Sequence, residues 1–176
     1  MAATLSGIPA RILGRLVSLS AWPIVVVGID PSGKPSPLGC TAAVAATGTL
    51  TSDATAPADG ETVSIGGQTY TFRTALTAST TANEVLIGAN SNAALLNLIR
   101  AINGSGTPGT DYGSLTPRST SVTAATSVTA NAFAVTAQAP GTAGNFIATT
   151  ETSTHLSWGG ALMTGGLNSA LLTTVQ

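Results

Sequence analysis

The most regular pattern along this chain is a strict alternation of apolar and polar residues between residues 61 and 72. Two alternating segments, residues 61–65 and 68–72, flank Gly66-Gly67, and a glycine pair supplies the positive φ angles of a tight two-residue turn. The pattern therefore predicts a β-hairpin with one buried and one exposed face. The side chains predicted to share the buried face are Val63, Ile65, Tyr70 and Phe72.

Residues 91–102 have instead the period of an amphipathic helix. Asn90 or Ser91 can cap the first N–H groups, and Gly104 stands just beyond Ile102, where a left-handed residue commonly ends a helix. We expect this helix to be stable only when its apolar stripe packs on the hairpin sheet. The stripe consists of Ala94, Leu95, Leu98, Ile99 and Ile102.

Shorter segments around these two elements predict further strands at residues 83–88, 121–124, 132–138 and 146–150. Together the elements predict a β-rich α+β fold, in which one helix packs on a mostly antiparallel sheet and an extended N-terminal arm precedes it. The predicted organisation is a docking arm at residues 1–40, an Ala/Thr-rich linker at 41–57, the β-rich domain at 58–168 and a C-terminal tail at 169–176. The composition of residues 41–57 also allows a strand there.

The arm carries the most apolar stretch of the chain, residues 16–29. Its β-branched residues 24–27 favour a strand, and Asp30-Pro31-Ser32-Gly33 favours a turn. Because no partner element lies close to it in the sequence, we expect the arm to dock on another chain. The residues predicted to make that contact are Leu16, Leu19, Trp22, Ile24, Val26, Ile29 and Leu38.

The same stretch is too short for a membrane-spanning helix, and Trp22-Pro23 and Gly28 interrupt it. Arg11 and Arg15 precede it like the basic start of a signal peptide, but a turn follows where small cleavage-site residues belong. Cys40 is the only cysteine and cannot form an intramolecular disulfide. We therefore expect a soluble protein made in the cytoplasm, with no membrane contact.

Charged residues make up 7% of the chain, against about 25% in a typical soluble domain. The surface must then consist largely of uncharged polar and small apolar side chains, which repel a second copy only weakly. This composition favours a homo-oligomer. The six basic residues are scattered and are balanced by seven acidic ones, which argues against nucleic-acid binding.

Residues that could carry catalysis or bind metals are few and isolated. His155 is the only histidine and has no motif around it, so we interpret it, like Cys40, as a bystander. Asp59-Gly60-Glu61 is most simply a turn that leads into the hairpin. The glycines of residues 104–109 follow a helix, whereas a phosphate-binding loop precedes one. We therefore predict no catalytic residue, no metal site, no cofactor and no enzymatic activity.

An ordered series of sequence blocks between residues 58 and 166 resembles a recurrent domain of tailed-phage structural proteins. The order of the blocks is more specific than any one of them, and no catalytic residue belongs to the pattern. The blocks are DGETVSIGGQTYTF (59–72), NEVLIG (83–88), NLI and AIN (97–103), GTDYG (109–113), APGTAGN (139–145) and TTET (149–152).

The resemblance implies a virion component, such as a capsid decoration (cement) or head-fibre protein bound to the major capsid protein or other virion proteins. An apolar arm and a low-charge domain suit packing between subunits, which favours a homotrimer. A tail, baseplate or tail-fibre adaptor is the alternative within the virion. An alternative of another class is a secreted adhesin or carbohydrate-binding module, with a glycan bound near Trp158 or Tyr112.

Overall fold

The computed structural model describes residues 27–29, 35–37, 40–77 and 81–171. Within them, residues 40–171 form one compact unit, called the β domain below. The strands and the α-helix are, in chain order, β1 (Val27–Ile29), β2 (Pro35–Pro37), β3 (Cys40–Thr41), β4 (Thr47–Ser52), β5 (Thr62–Ile65), β6 (Gln68–Arg73), β7 (Glu84–Leu86), α1 (Ser91–Asn103), β8 (Val122–Ala124), β9 (Ala132–Ala137), β10 (Thr149–Glu151), β11 (Leu156–Trp158) and β12 (Ala170–Leu171).

The structure confirms the predicted β-rich α+β fold with one packed helix. Its main strands form two four-stranded sheets where the sequence predicts one. Sheet one has the order β10-β5-β6-β7, and sheet two has the order β11-β4-β9-β8. Neighbouring strands in both sheets are antiparallel, except that β7 runs parallel to β6.

The predicted hairpin forms the centre of sheet one. Val63 lies opposite Tyr70 and Ile65 opposite Gln68, in the predicted register. The turn has positive φ angles of 60° and 83° at its two glycines. The side chains predicted for the inner face are all fully buried, namely Val63, Ile65, Tyr70 and Phe72.

Strand β4 lies within residues 41–57, where the sequence allows either a linker or a strand. It is a central strand of sheet two, paired with β9 on one side and with β11 on the other. Leu50 is its only large apolar side chain, and it is fully buried. Because Thr, Gly and Ser fill the other positions, the hydrophobic alternation of this segment is too weak to decide between a strand and a linker.

Helix α1 closes the space between the two sheets. Its first turn is capped by the Asn90 side chain, which accepts the Ala93 N–H at 2.9 Å, and Gly104 ends it with a φ of 61°. The helix packs against β7 and β8, which are edge strands of the two sheets, while β10 and β11 meet at the other edges. One continuous hydrophobic core results, and it includes the predicted helix stripe of Ala94, Leu95, Leu98, Ile99 and Ile102.

The chain enters and leaves the β domain through two neighbouring antiparallel strands, β3 and β12. Thr41 of β3 lies opposite Ala170 of β12. The same register continues through the bridges that join Val44 to Leu167 and Thr47 to Thr164. The predicted C-terminal tail, residues 169–176, therefore begins with a paired strand.

Candidate interaction surface

Charged residues are unevenly distributed over the β domain. Residues 119–150 and 156–171 contain none. The four strands of sheet two contain none either, whereas the strands of sheet one carry Arg73, Glu84 and Glu151. The charges of the β domain thus belong to sheet one, the helix and the connecting loops.

The outer face of sheet two consists of small uncharged side chains. Along β4 and β9 these residues alternate with buried ones such as Leu50 and Val135. The register places Thr49 opposite Ala134. We call this the threonine face, and its exposed residues are Thr47, Thr49, Thr51, Thr123, Ala134, Thr136 and Ser157.

One row of threonines crosses this face from strand to strand. Thr123, Thr136, Thr47 and Thr164 are successive cross-strand neighbours, and adjacent strands in a sheet lie about 4.8 Å apart. A threonine hydroxyl both donates and accepts hydrogen bonds, and the methyl group beside it is apolar. The row can therefore contact a partner without carrying a charge into the contact.

Side chains close the edge of sheet two at β8. The Asn103 amide donates to the Ala124 carbonyl at 3.0 Å and accepts the Ala124 N–H at 2.9 Å. Ser119 Oγ accepts the Val122 N–H, and the Gln138 amide donates to the Val122 carbonyl. These groups take the place of a further strand, which hinders strand addition at this edge. The face of the sheet is the part left open to a partner.

Large apolar side chains are exposed at the end of the β domain where both chain ends leave. Val44 and Leu167, directly opposite each other, are 48% and 59% exposed. Phe146 is 78% exposed and Leu162 is 47% exposed. We call these four residues the apolar end. Leu115 is the fifth exposed large apolar residue among those described. It lies apart from these four in sequence, in the loop that joins α1 to β8.

Hydrogen bonds fix the loop that carries Phe146 against the exiting strands. The Asn145 side chain donates to the Gly166 carbonyl at 3.0 Å and accepts the Gly166 N–H at 2.8 Å. Asn168 Oδ1 accepts the Thr142 N–H at 3.0 Å. The apolar end is therefore held as part of the folded domain.

The apolar end and the threonine face adjoin each other. A depression of about 240 Å³ lies between them and is lined by Leu162 from the former and by Thr47 and Thr49 from the latter. The other residues that line it are Gly48, Thr149, Trp158, Gly159, Gly160 and Thr164. The two features form one area without charged groups, called the uncharged surface below.

The histidine and its polar neighbours lie at the other end of β4. His155 Nδ1 is 2.9 Å from Asp53 Oδ2, and the Ser153 hydroxyl donates to Glu61 at 2.5 Å. The Ser153 oxygen accepts the backbone N–H of His155. The hydroxyl proton is thus directed to Glu61 and not to the imidazole, so these groups tie two loops together.

Hydrogen bonds lower the pKa of both carboxylates in this cluster. The imidazole of His155 and the backbone N–H of Thr55 lower the pKa of Asp53. Partial burial acts to raise the pKa of Glu61, but the hydrogen bonds from Ser153 and from two backbone N–H groups outweigh it and hold the pKa below its usual value. Both groups are therefore ionised acceptors at neutral pH, whereas a general acid needs a raised pKa.

A second polar cluster is centred on Glu84. This buried carboxylate accepts hydrogen bonds from Arg73 at 3.2 Å and from the N–H and hydroxyl of Thr77 at 2.8 and 2.6 Å. Arg73 also lies 3.4 Å from Asp59. Burial acts to raise the pKa of Glu84, but the bonds from Thr77 and Arg73 hold it below its usual value. All these partners belong to the domain itself.

Most of the contact residues predicted for the N-terminal arm lie outside the described residues. Ile29 is in β1, which pairs with β2 so that Ile29 lies opposite Pro35, and Cys40 is in β3. The docking of the arm stays a prediction. The residues that fall outside are Leu16, Leu19, Trp22, Ile24, Val26 and Leu38.

The sequence reasoning missed the uncharged surface. The available signal was the absence of charge over residues 119–150 and 156–171. The two aromatic residues considered for glycan binding are buried, with Trp158 7% and Tyr112 2% exposed. The Trp158 indole N–H donates to the Thr150 carbonyl at 3.3 Å. Trp158 also lines the depression beside Thr47 and Thr49, but at 7% and 2% exposure the two rings offer little surface on which a sugar could stack.

In the part of the chain that the structure describes, no three His, Cys, Asp or Glu side chains gather in a way that could hold a metal ion. No helix among these residues has the length and apolarity needed to cross a membrane. Comparisons with protein-family models, curated proteins and solved structures find no match to this chain. The case for its function therefore rests on its own residues and geometry and on the sequence blocks of residues 58–166 described above.

Proposed function

We propose that this chain is a non-enzymatic structural component of a tailed-phage particle, namely a capsid decoration (cement) or head-fibre protein. It acts by contacting other subunits through the uncharged surface, while the N-terminal arm docks on the shell. The virion location rests on the sequence blocks of residues 58–166 that resemble tailed-phage structural domains.

The uncharged surface is the observation that carries the contact role. Exposed apolar patches bordered by polar groups mark protein contact sites, and the centres of interfaces are depleted of charged residues. The threonine face has both properties where it meets the apolar end, since Leu162, 47% exposed, lines the depression beside Thr47 and Thr49. A surface of this kind favours association with another protein over remaining as a free monomer in solution.

The polar clusters support a structural role over a catalytic one. Ser153 directs its proton to Glu61, and His155 is bonded to Asp53. Glu84 has its hydrogen bonds supplied by Arg73 and Thr77. The carboxylates with a resolved pKa shift all have a lowered pKa, as structural acceptors do.

Quantitative mass spectrometry of purified particles tests the proposed location. A protein repeated over a symmetric shell is expected at on the order of hundreds of copies per particle. A copy number of roughly a dozen or fewer would contradict the head assignment, because it fits a tail component. Absence of the chain from the particles would contradict the virion role altogether.

A further inference from the structure

The charge distribution of the β domain indicates what covers the uncharged surface. Three arginines and six carboxylates give residues 40–171 a formal charge of −3 with His155 neutral. Two copies that met through the acidic loops around Asp53, Asp59 and Glu61 would bring like charges together, which is unfavourable. Two copies that met through the uncharged surface would bring no charges together.

The hydrogen-bonding groups of the threonine face also suit a second copy. Because each hydroxyl can donate or accept, two such faces can satisfy each other without a fixed pattern of donors and acceptors. A charged partner surface would lose water from its ions and find no counter-ion here, which is costly. Strand addition at β8 is hindered by Asn103, Ser119 and Gln138.

We propose that a second copy of this chain covers the uncharged surface, so that the chain forms a homo-oligomer held by the threonine face and the apolar end. This inference rests on the contact role proposed above and names the partner in that contact. The two copies contact each other through the faces of their sheets, and no strand of one copy hydrogen-bonds to a strand of the other.

Sedimentation equilibrium of the full chain over a range of concentrations tests this proposal. Thr49→Arg places a charge in the middle of the threonine face, and Thr69→Arg places the same charge on an exposed strand position of sheet one. Like-charge contact across an interface costs several kcal/mol. We expect Thr49→Arg to weaken self-association at least about tenfold and Thr69→Arg to leave it unchanged.

A second matched pair probes the apolar end. Phe146→Asp is expected to weaken self-association, whereas Leu115→Asp, at a residue that is 61% exposed in another loop, is not. Circular dichroism checks that each variant is folded. A wild-type chain that stays monomeric at every concentration would overturn the inference, and so would equal weakening by both members of either pair.

The outcomes separate this inference from the proposed function. A monomeric wild-type chain that is nonetheless abundant in purified particles removes the self-contact and leaves the virion role intact. A self-associating chain that is missing from particles keeps the self-contact and removes the virion role.

Discussion

Glu84 shows how a chain with few charges accommodates a buried one. The residue is 4% exposed, and its carboxylate is bonded to Arg73 and to the backbone and hydroxyl of Thr77. Removing a carboxylate from water is costly, and such hydrogen bonds and a paired charge offset that cost. The bonds that stabilise the ionised form should therefore make folding depend on pH.

Glu84→Gln is expected to lower the free energy of unfolding at pH 7 by about 1–3 kcal/mol, because the bonds to an ionised acceptor are weakened. The folded-state pKa of Glu84 is lowered, so its contribution is present above the unfolded pKa of about 4.3 and is lost as pH falls through the folded value. The difference in unfolding free energy between wild type and Glu84→Gln should thus become smaller as the pH falls from 7 to 3. Urea unfolding followed by circular dichroism measures it at each pH.

Glu151→Gln serves as the control for this series. The Glu151 carboxylate accepts one long hydrogen bond, from the backbone N–H of Trp158, with 3.4 Å between Trp158 N and Glu151 Oε1. Glu151→Gln should therefore change the free energy of unfolding by less than about 1 kcal/mol. A gap between wild type and Glu84→Gln that is equally large at both pH values would contradict the account of Glu84.

At the residue scale, sequence reasoning identified caps and turns but not long-range polar pairs. Asn90 and Gly104 are recognisable because a helix cap acts within a few residues. The bonds of Asn103 to Ala124 and of Ser153 to Glu61 join positions far apart in the chain. Such pairs form only in the tertiary fold, so no local sequence pattern predicts them.

At the scale of elements, the hairpin and the helix were predictable because each has a strong local period and explicit end signals. β4 was not, since Leu50 is its only large apolar residue and the strand is defined by its partners β9 and β11. The division into two sheets could not be predicted either. It depends on pairings such as β5 with β10, whose register no local sequence pattern fixes.

The hairpin turn offers a prediction at this scale, because its two glycines differ in their surroundings. A Cβ on Gly67 would have no atom within 4 Å, whereas a Cβ on Gly66 would lie 2.8 Å from the Cβ of Ser121. Both have positive φ, so Gly67→Ala should cost about 1–2 kcal/mol of unfolding free energy. Gly66→Ala should cost at least about 1 kcal/mol more through overpacking against Ser121.

Thermal or urea unfolding of the two variants measures this difference. The double variant Gly66→Ala with Ser121→Gly removes the obstructing Cβ and should recover part of the loss. Equal destabilisation by the two single substitutions would contradict the packing described for Ser121.

At the scale of the whole molecule, the fold separates charged and uncharged surface. Composition alone predicts a low-charge protein, but it does not say where the few charges go. Within residues 40–171 the charges lie in sheet one, the helix and the loops, and sheet two has none. The candidate site could therefore be anticipated as a kind of surface but not located from the sequence. Of the predicted arm contacts, all but Ile29 fall outside the described residues.

Hydroxyl-radical footprinting of the purified particle and of the dilute isolated chain, read by mass spectrometry, tests most directly whether the uncharged surface is a protein contact. Phe146 and Leu167 are 78% and 59% exposed in the isolated chain, and Leu115 is 61% exposed. We predict that Phe146 and Leu167 are oxidised in the isolated chain and protected in the particle, while Leu115 reacts equally in both. Equal oxidation of Phe146 and Leu167 in the particle and in the isolated chain would contradict the proposed contact.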